Sequence, residues 1–194
     1  MAKSLIKAIL VLFTFGCSNR KTDEQSTMLF WEDDYQMVEI MSIDNLHFAK
    51  SAIRENQNND TIEHEQIQTQ ELGILKTELS SLLESVNLVK YERISYAGIG
   101  EPRILENPKT TAYGSNSTAI FFDGDEDIVE HIWLSSHNWK EVNDTKIADG
   151  LKALGDHYNM ILVDTYPIQN KIVNLKDMAA IHEYLDRYVE RFNE

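Results

Sequence analysis

Two groups of carboxylates in this chain sit close enough together to do chemistry. Asp123-Gly124-Asp125-Glu126-Asp127 sets three aspartates at alternate positions, the opening of a calcium loop, in which oxygens from alternate residues converge on a hard cation. That loop also needs glycine at its sixth position and glutamate at its twelfth, where this chain has Ile128 and Leu134, so the run reads as a solvated hairpin turn. Glu32-Asp33-Asp34 follows Phe30-Trp31, and paired acids beside aromatic rings can protonate a leaving group or line a sugar subsite. Trp31, Asp33 and Asp34 are therefore candidate ligand or partner residues, weighed against the plainer reading that acids are common in so acidic a chain. Trp139 joins them: it lies in the polar stretch 135–143 and is the tryptophan expected to be exposed, whereas Trp31 and Trp133 fall in strand-like runs where core packing is the usual fate of an aromatic.

The other chemistries find no pattern. His47, His64, His131, His137, His157 and His182 occur without HxH or HExxH spacing. His182 and Asp186 lie one helical turn apart but beside Ile181 and Leu185, which suits a half-buried, hydrogen-bonded histidine better than a metal ligand. His131 is out of phase with Ile132 on a predicted strand and is expected on the solvent side. No serine stands in GxSxG, and Gly98-Ile99-Gly100 lacks the third glycine and the following helix of a phosphate cradle. No catalytic, cofactor-binding or metal-binding residue is assigned, and no cofactor is expected.

The single cysteine, Cys17, excludes an internal disulfide and closes an N-terminal segment of three parts. Lys3 and Lys7 precede the apolar run 8–15, and Gly16 supplies a small residue before Cys17, the layout of a secretory signal peptide. The apolar run is far shorter than the roughly 20 residues that span a bilayer. Thr14-Phe15-Gly16-Cys17 resembles the lipobox of bacterial lipoproteins, although Thr14 stands where that family usually has leucine and Phe15 is bulkier than usual. The resemblance covers residues 1–17 only. It implies cleavage after Gly16 and lipidation of Cys17, with the protein held at the cell envelope on an extracytoplasmic face, periplasmic or surface. Each buried CH₂ of an acyl chain adds about 0.8 kcal/mol, so several chains hold firmly. Ordinary secretion is the first alternative, because Thr14 and Gly16 are also small enough for a non-lipoprotein peptidase, and a cytoplasmic protein with an apolar first helix is the last.

Residues 17–27 are then the lipidated cysteine and a polar tether, without aliphatic or aromatic residues after Cys17, that reaches at most about 35 Å from the membrane. The remaining residues, 28–194, are expected to form one globular domain. Acidic residues number 32 against 18 basic ones, a net charge of −14; losing Lys3 and Lys7 with the signal makes it −16. Such a field repels nucleic acid and anionic headgroups and favours a basic protein partner.

Residues 28–43 read as one or two strands, and Asp44-Asn45 as an N-cap before a helix carrying Leu46, Ala49 and Ile53. Leu72, Leu75, Leu79, Leu82, Leu83 and Val86 predict a helix over 71–86, followed by an alternating strand over 88–97. A hairpin is expected over 117–134, then a helix capped by Asp144-Thr145 with Ile147, Leu151, Leu154 and Tyr158 on one face. Strands over 160–166 and 171–175 flank a turn, and Asp177 caps a last helix with Met178, Ile181, Leu185, Val189 and Phe192 along its stripe. Strands cluster while long helices fall between clusters, which predicts an α+β class: a mostly antiparallel sheet with three to four packed helices in a single domain.

Together these features suggest a membrane-anchored lipoprotein that binds a protein or acts as an accessory, similar in size, charge and class to an immunity-type inhibitor. The alternative expectation is a hydrolase of envelope or surface polymers using Asp33, Asp34 or the acids of 123–127.

Overall fold

The apolar runs flanking Asp123 to Asp127 form the predicted hairpin in the computed structural model, which describes residues 27–58, 65–98, 103–104, 109–137, 145–167 and 169–190. Its arms are β7 (Thr118–Asp123) and β8 (His131–Ser136), paired from Thr118↔Ser136 to Asp123↔His131. Around them lie β6 (Thr111–Ser115) and β3 (Val89–Lys90) on one side. On the other lie β2 (Val38–Ser42), β9 (Met160–Asp164) and β10 (Lys171–Asn174). All seven run antiparallel, in the order β10-β9-β2-β8-β7-β6-β3.

One face of this sheet packs against three helices, α3 (Lys76–Ser85), α4 (Thr145–Tyr158) and α5 (Met178–Glu190). Strand alternation sends Val38, Ile40, Ile120, Phe122, Ile132 and Leu134 to that face, where they meet Leu79, Leu83, Leu151, Leu154, Ile181 and Leu185. Each such side chain, fully buried, contributes about 1.5–3 kcal/mol. Asp177 caps α5 as expected, accepting from the amides of Ala179 at 3.0 Å and Ala180 at 3.2 Å. Gly155 lets α4 lie close on the chain at Leu175: a Cβ there would sit 2.3 Å from the Leu175 carbonyl.

The other face has two covers. A small sheet of β1 (Thr27–Trp31), β4 (Arg93–Ala97) and β5 (Arg103–Ile104) lays Met28, Phe30 and Ile94 over Ala112, Ala119, Phe121 and Trp133. In it β1 and β4 pair in parallel, Thr27↔Arg93 to Trp31↔Ala97. Helix α2 (Leu46–Asn58) covers Met41, Ile161 and Val163. The fold is α+β, with a mostly antiparallel sheet. Among the described residues no helix is long and apolar enough to cross a membrane.

Several local expectations shift. Residues 32–37 interrupt the two strands of 28–43 as the short helix α1 (Glu32–Met37). The helix predicted from 71 begins at Lys76, because Gly73 takes a left-handed conformation (φ 65) after a 3₁₀ turn and leaves Leu72 and Leu75 exposed. The alternating run 88–97 is two strands in different sheets. Asn45 does not cap α2; its side chain instead clips the Ile67 backbone, donating to the carbonyl at 2.9 Å and accepting from the amide at 2.8 Å. Strands β5 and β6 carry no signal that sequence reasoning used. Cys17, Trp139 and the Asp144 cap lie outside the described residues.

Candidate functional site

Between its two covers, the second face of the large sheet brings ionisable and aromatic side chains together. Glu39 shares the phase of Met41 on β2 and stands directly opposite Trp133 on β8. Two residues along β8, on the same face, is His131, whose Nε2 lies 4.0 Å from Glu39 Oε1. The Gln66 amide, held over this spot by the Asn45 clip on Ile67, donates to Glu39 Oε1 at 2.8 Å. From α1, Tyr35 sets its ring edge-on to His131 (centroids 4.4 Å apart) and to Trp133 (4.8 Å). His131 stacks on Trp133 at 5.3 Å, and Trp133 on Phe121 at 5.3 Å. Asp123, opposite His131 across the hairpin, accepts a hydrogen bond from the Tyr35 hydroxyl.

Burial governs the protonation of this group. It pushes the Glu39 carboxyl up to about 7, partly offset by the Gln66 hydrogen bond, and pulls His131 down to about 4. Asp123 is raised by burial and by Glu130, against the pull of Lys76 and the Tyr35 hydrogen bond; Tyr35 is raised by burial and then by Asp123. Near neutral pH the site therefore holds a neutral imidazole beside a carboxyl poised between its two forms. His131 Nδ1 and Trp133 Nε1 are buried without a hydrogen-bond partner among the described residues. Such an arrangement can give up one proton or supply one carboxylate to a ligand that reaches it. A recess of about 220 Å³ leads to Glu39 between β2, α2 and the end of β9.

The residues singled out from sequence behave differently. Asp33 and Asp34 do not form a pair: Asp33 is exposed, while Asp34 is fully buried, accepting from Ser135 Oγ at 2.6 Å and from the Tyr166 hydroxyl at 3.0 Å. Asp34 thus ties α1 to β8 and to the end of β9. Trp31 anchors the same junction, its indole donating to the Ser136 carbonyl at 3.1 Å and its backbone amide to Ser135 Oγ at 3.1 Å. Asp125 pairs with Lys109 and, with Glu126 and Asp127, forms an exposed turn. No group of three metal-ligating side chains occurs among the described residues. His182 is half-buried on α5.

His131 corrects its expected solvent placement: it does face away from Ile132, but α1 and the 65–72 segment cover that face and leave its side chain 19% exposed. Sequence reasoning passed over Glu39 altogether. The available signal was its phase, an acid between Met37 and Met41 on what proves a covered side of the strand. Gln66 carried no signal. Comparison with protein-family models, with curated proteins and with solved structures finds no match.

Proposed function

We propose that this protein is a lipid-anchored, extracytoplasmic binding module that takes a basic protein partner without turning it over. The observation that carries the reading is the surface around Glu39 and His131. The segments framing those residues expose Tyr35 and Ile67, each more than a third accessible, among the exposed acids Glu32, Asp33, Glu65 and Glu130. An apolar spot in acidic surroundings suits a complementary basic protein, with the charges steering encounter and the apolar groups holding the complex. The net charge of −14 acts in the same direction. The N-terminal segment 1–17, ending in Cys17, supports the anchor.

Affinity capture with the full-length protein from membranes at low salt should recover a basic partner that high salt releases. The double variant Asp33→Lys, Glu130→Lys should slow association about tenfold. Recovery of no partner, or an association indifferent to both charge reversals, overturns the reading. For the anchor, mass spectrometry of the native protein should find an acylated Cys17 at the N-terminus and Cys17→Ser should leave the membrane fraction; an intact Met1 excludes it.

One observation favours a second reading, an envelope-polymer hydrolase. A carboxyl held at about 7 in an apolar setting has the protonation of a general acid. In that case Glu39, rather than Asp33 or Asp34, is the proton donor, and Glu39→Gln abolishes turnover of a polymer substrate while Asp33→Asn leaves it intact.

A further inference from the structure

We propose that the recess beside Glu39 is a binding site for a lysine side chain, a primary alkylammonium, presented by the partner. The inference rests on the binding-module reading and gives the partner its chemistry. The recess, about 220 Å³, is smaller than the roughly 300–1,000 Å³ pockets that enclose whole small molecules, and suits a single inserted side chain. Its apolar walls are Met37, Met41, Phe48 and Val163, and the ionisable groups that line it are the carboxyls of Glu39 and Glu55; among the described residues no cation lines it. A lysine has the matching anatomy, a four-carbon stem for the apolar walls and a charged head for the carboxylate.

The occupancy of Glu39 selects the head. Its Oε1 already accepts from Gln66 at 2.8 Å, which leaves the other oxygen for a ligand. A single acceptor serves the point-like ammonium, whereas a guanidinium draws its advantage from two parallel bonds to one carboxylate. A metal ion would want further ligands, and no group of three metal-ligating side chains occurs among the described residues. Among the described residues, the neighbours of Glu39 do not supply a countercharge. Gln66 is neutral and His131 is held uncharged by burial at neutral pH; Tyr35, Glu55, Asp123 and Glu130 bring no positive charge. A largely buried carboxylate with no cation beside it among the described residues is costly, so an entering ammonium supplies what the site lacks. Since burial holds the empty site's Glu39 carboxyl at about 7, loading the site at lower pH displaces a proton.

The test is calorimetric or NMR titration of the full-length protein with n-butylammonium and Nα-acetyl-lysine amide, with Nα-acetyl-arginine amide as the comparison. Saturable one-to-one binding is expected at pH 8, weaker by about tenfold at pH 6, as a carboxyl titrating near 7 requires. Glu39→Gln, which keeps the shape and the Gln66 contact, should weaken binding at least tenfold and flatten its pH dependence with no loss of thermal stability. Ala52→Phe, which fills the recess from α2 and leaves Glu39 in place, should also abolish binding. No saturable binding of either amine, equal binding by Glu39→Gln, or tighter binding of the arginine amide overturns the inference. The two proposals fail separately. A basic partner whose capture ignores Glu39→Gln sinks the lysine site and spares the binding module; amine binding without any recoverable partner does the reverse.

Discussion

Glu39 and His131 respond to the same burial in opposite senses, and their linkage to stability has opposite signs. Glu39 titrates at about 7 in the fold against an ordinary value of 4.5, so the folded state holds the extra proton between those values and this contribution falls as pH rises through that window. His131 titrates at about 4 against 6.5, so the unfolded state holds the extra proton and this contribution is lost as pH falls from 6.5 to 4. Across about pH 4.5–6.5 the two nearly cancel. Relative to the wild type, Glu39→Gln should therefore gain stability as pH rises from 4.5 to 7, by up to about 3 kcal/mol, at 1.4 kcal/mol per pH unit. His131→Asn should gain by a similar amount, about 3 kcal/mol, as pH falls from 6.5 to 4. Chemical denaturation at half-unit pH intervals measures both slopes; parallel curves for wild type and variants would show that neither group is buried as described. Sequence placed His131 on the outward phase of its strand, and the phase is right; it passed over Glu39, which shares that outward face of the sheet. That the outward side is covered depends on contacts between segments, for His131 with α1 and the 65–72 segment far away in the chain and for Glu39 with Gln66, 27 positions on, which strand periodicity cannot register.

The Asn45 side chain fastens the backbone of the segment over Glu39. Asn45 makes two hydrogen bonds to the backbone of Ile67, and these set Gln66 over the carboxyl. Asn45→Ala should cost about 1–3 kcal/mol, the range for leaving buried polar groups unpaired. It should also speed hydrogen exchange at the Ile67 amide. With the segment released, the Glu39 carboxyl loses the contact that lowers it but also part of the cover that raises it; burial is the larger cause, so it should titrate lower, as NMR of the side-chain carboxyl can follow. Unchanged exchange at Ile67 would show that the segment is held by other means. The sequence points to Asn45 as a polar residue at a helix start, and an N-cap is the local use for it. Its actual partner lies 22 positions away. The helices fared better: the stripe of α4, that of α5 from Met178 to Leu185 and the cap at Asp177 are local in origin and match the structure, while Phe192 lies outside the described residues.

At the scale of the whole molecule, 32 acids face 18 bases, and self-repulsion works against the compact state. Raising ionic strength from about 0.01 to 0.15 M shortens the screening length from about 30 to 8 Å and should raise the melting temperature. A melting temperature that falls with salt would mean that local ion pairs such as Lys152 with Asp156 outweigh the net charge. The sequence by itself determined the class, the 117–134 hairpin and the helices whose apolar stripes face the sheet, because those follow from periodicity and capping within a few residues of chain. It also marked the acidic surface. Only the tertiary structure decided that Asp33 and Asp34 part company, that the run 88–97 divides between two sheets, and that Glu39, Gln66 and His131 meet. Each of those outcomes turns on which element covers a face, and cover is a contact between distant segments that local patterning does not encode.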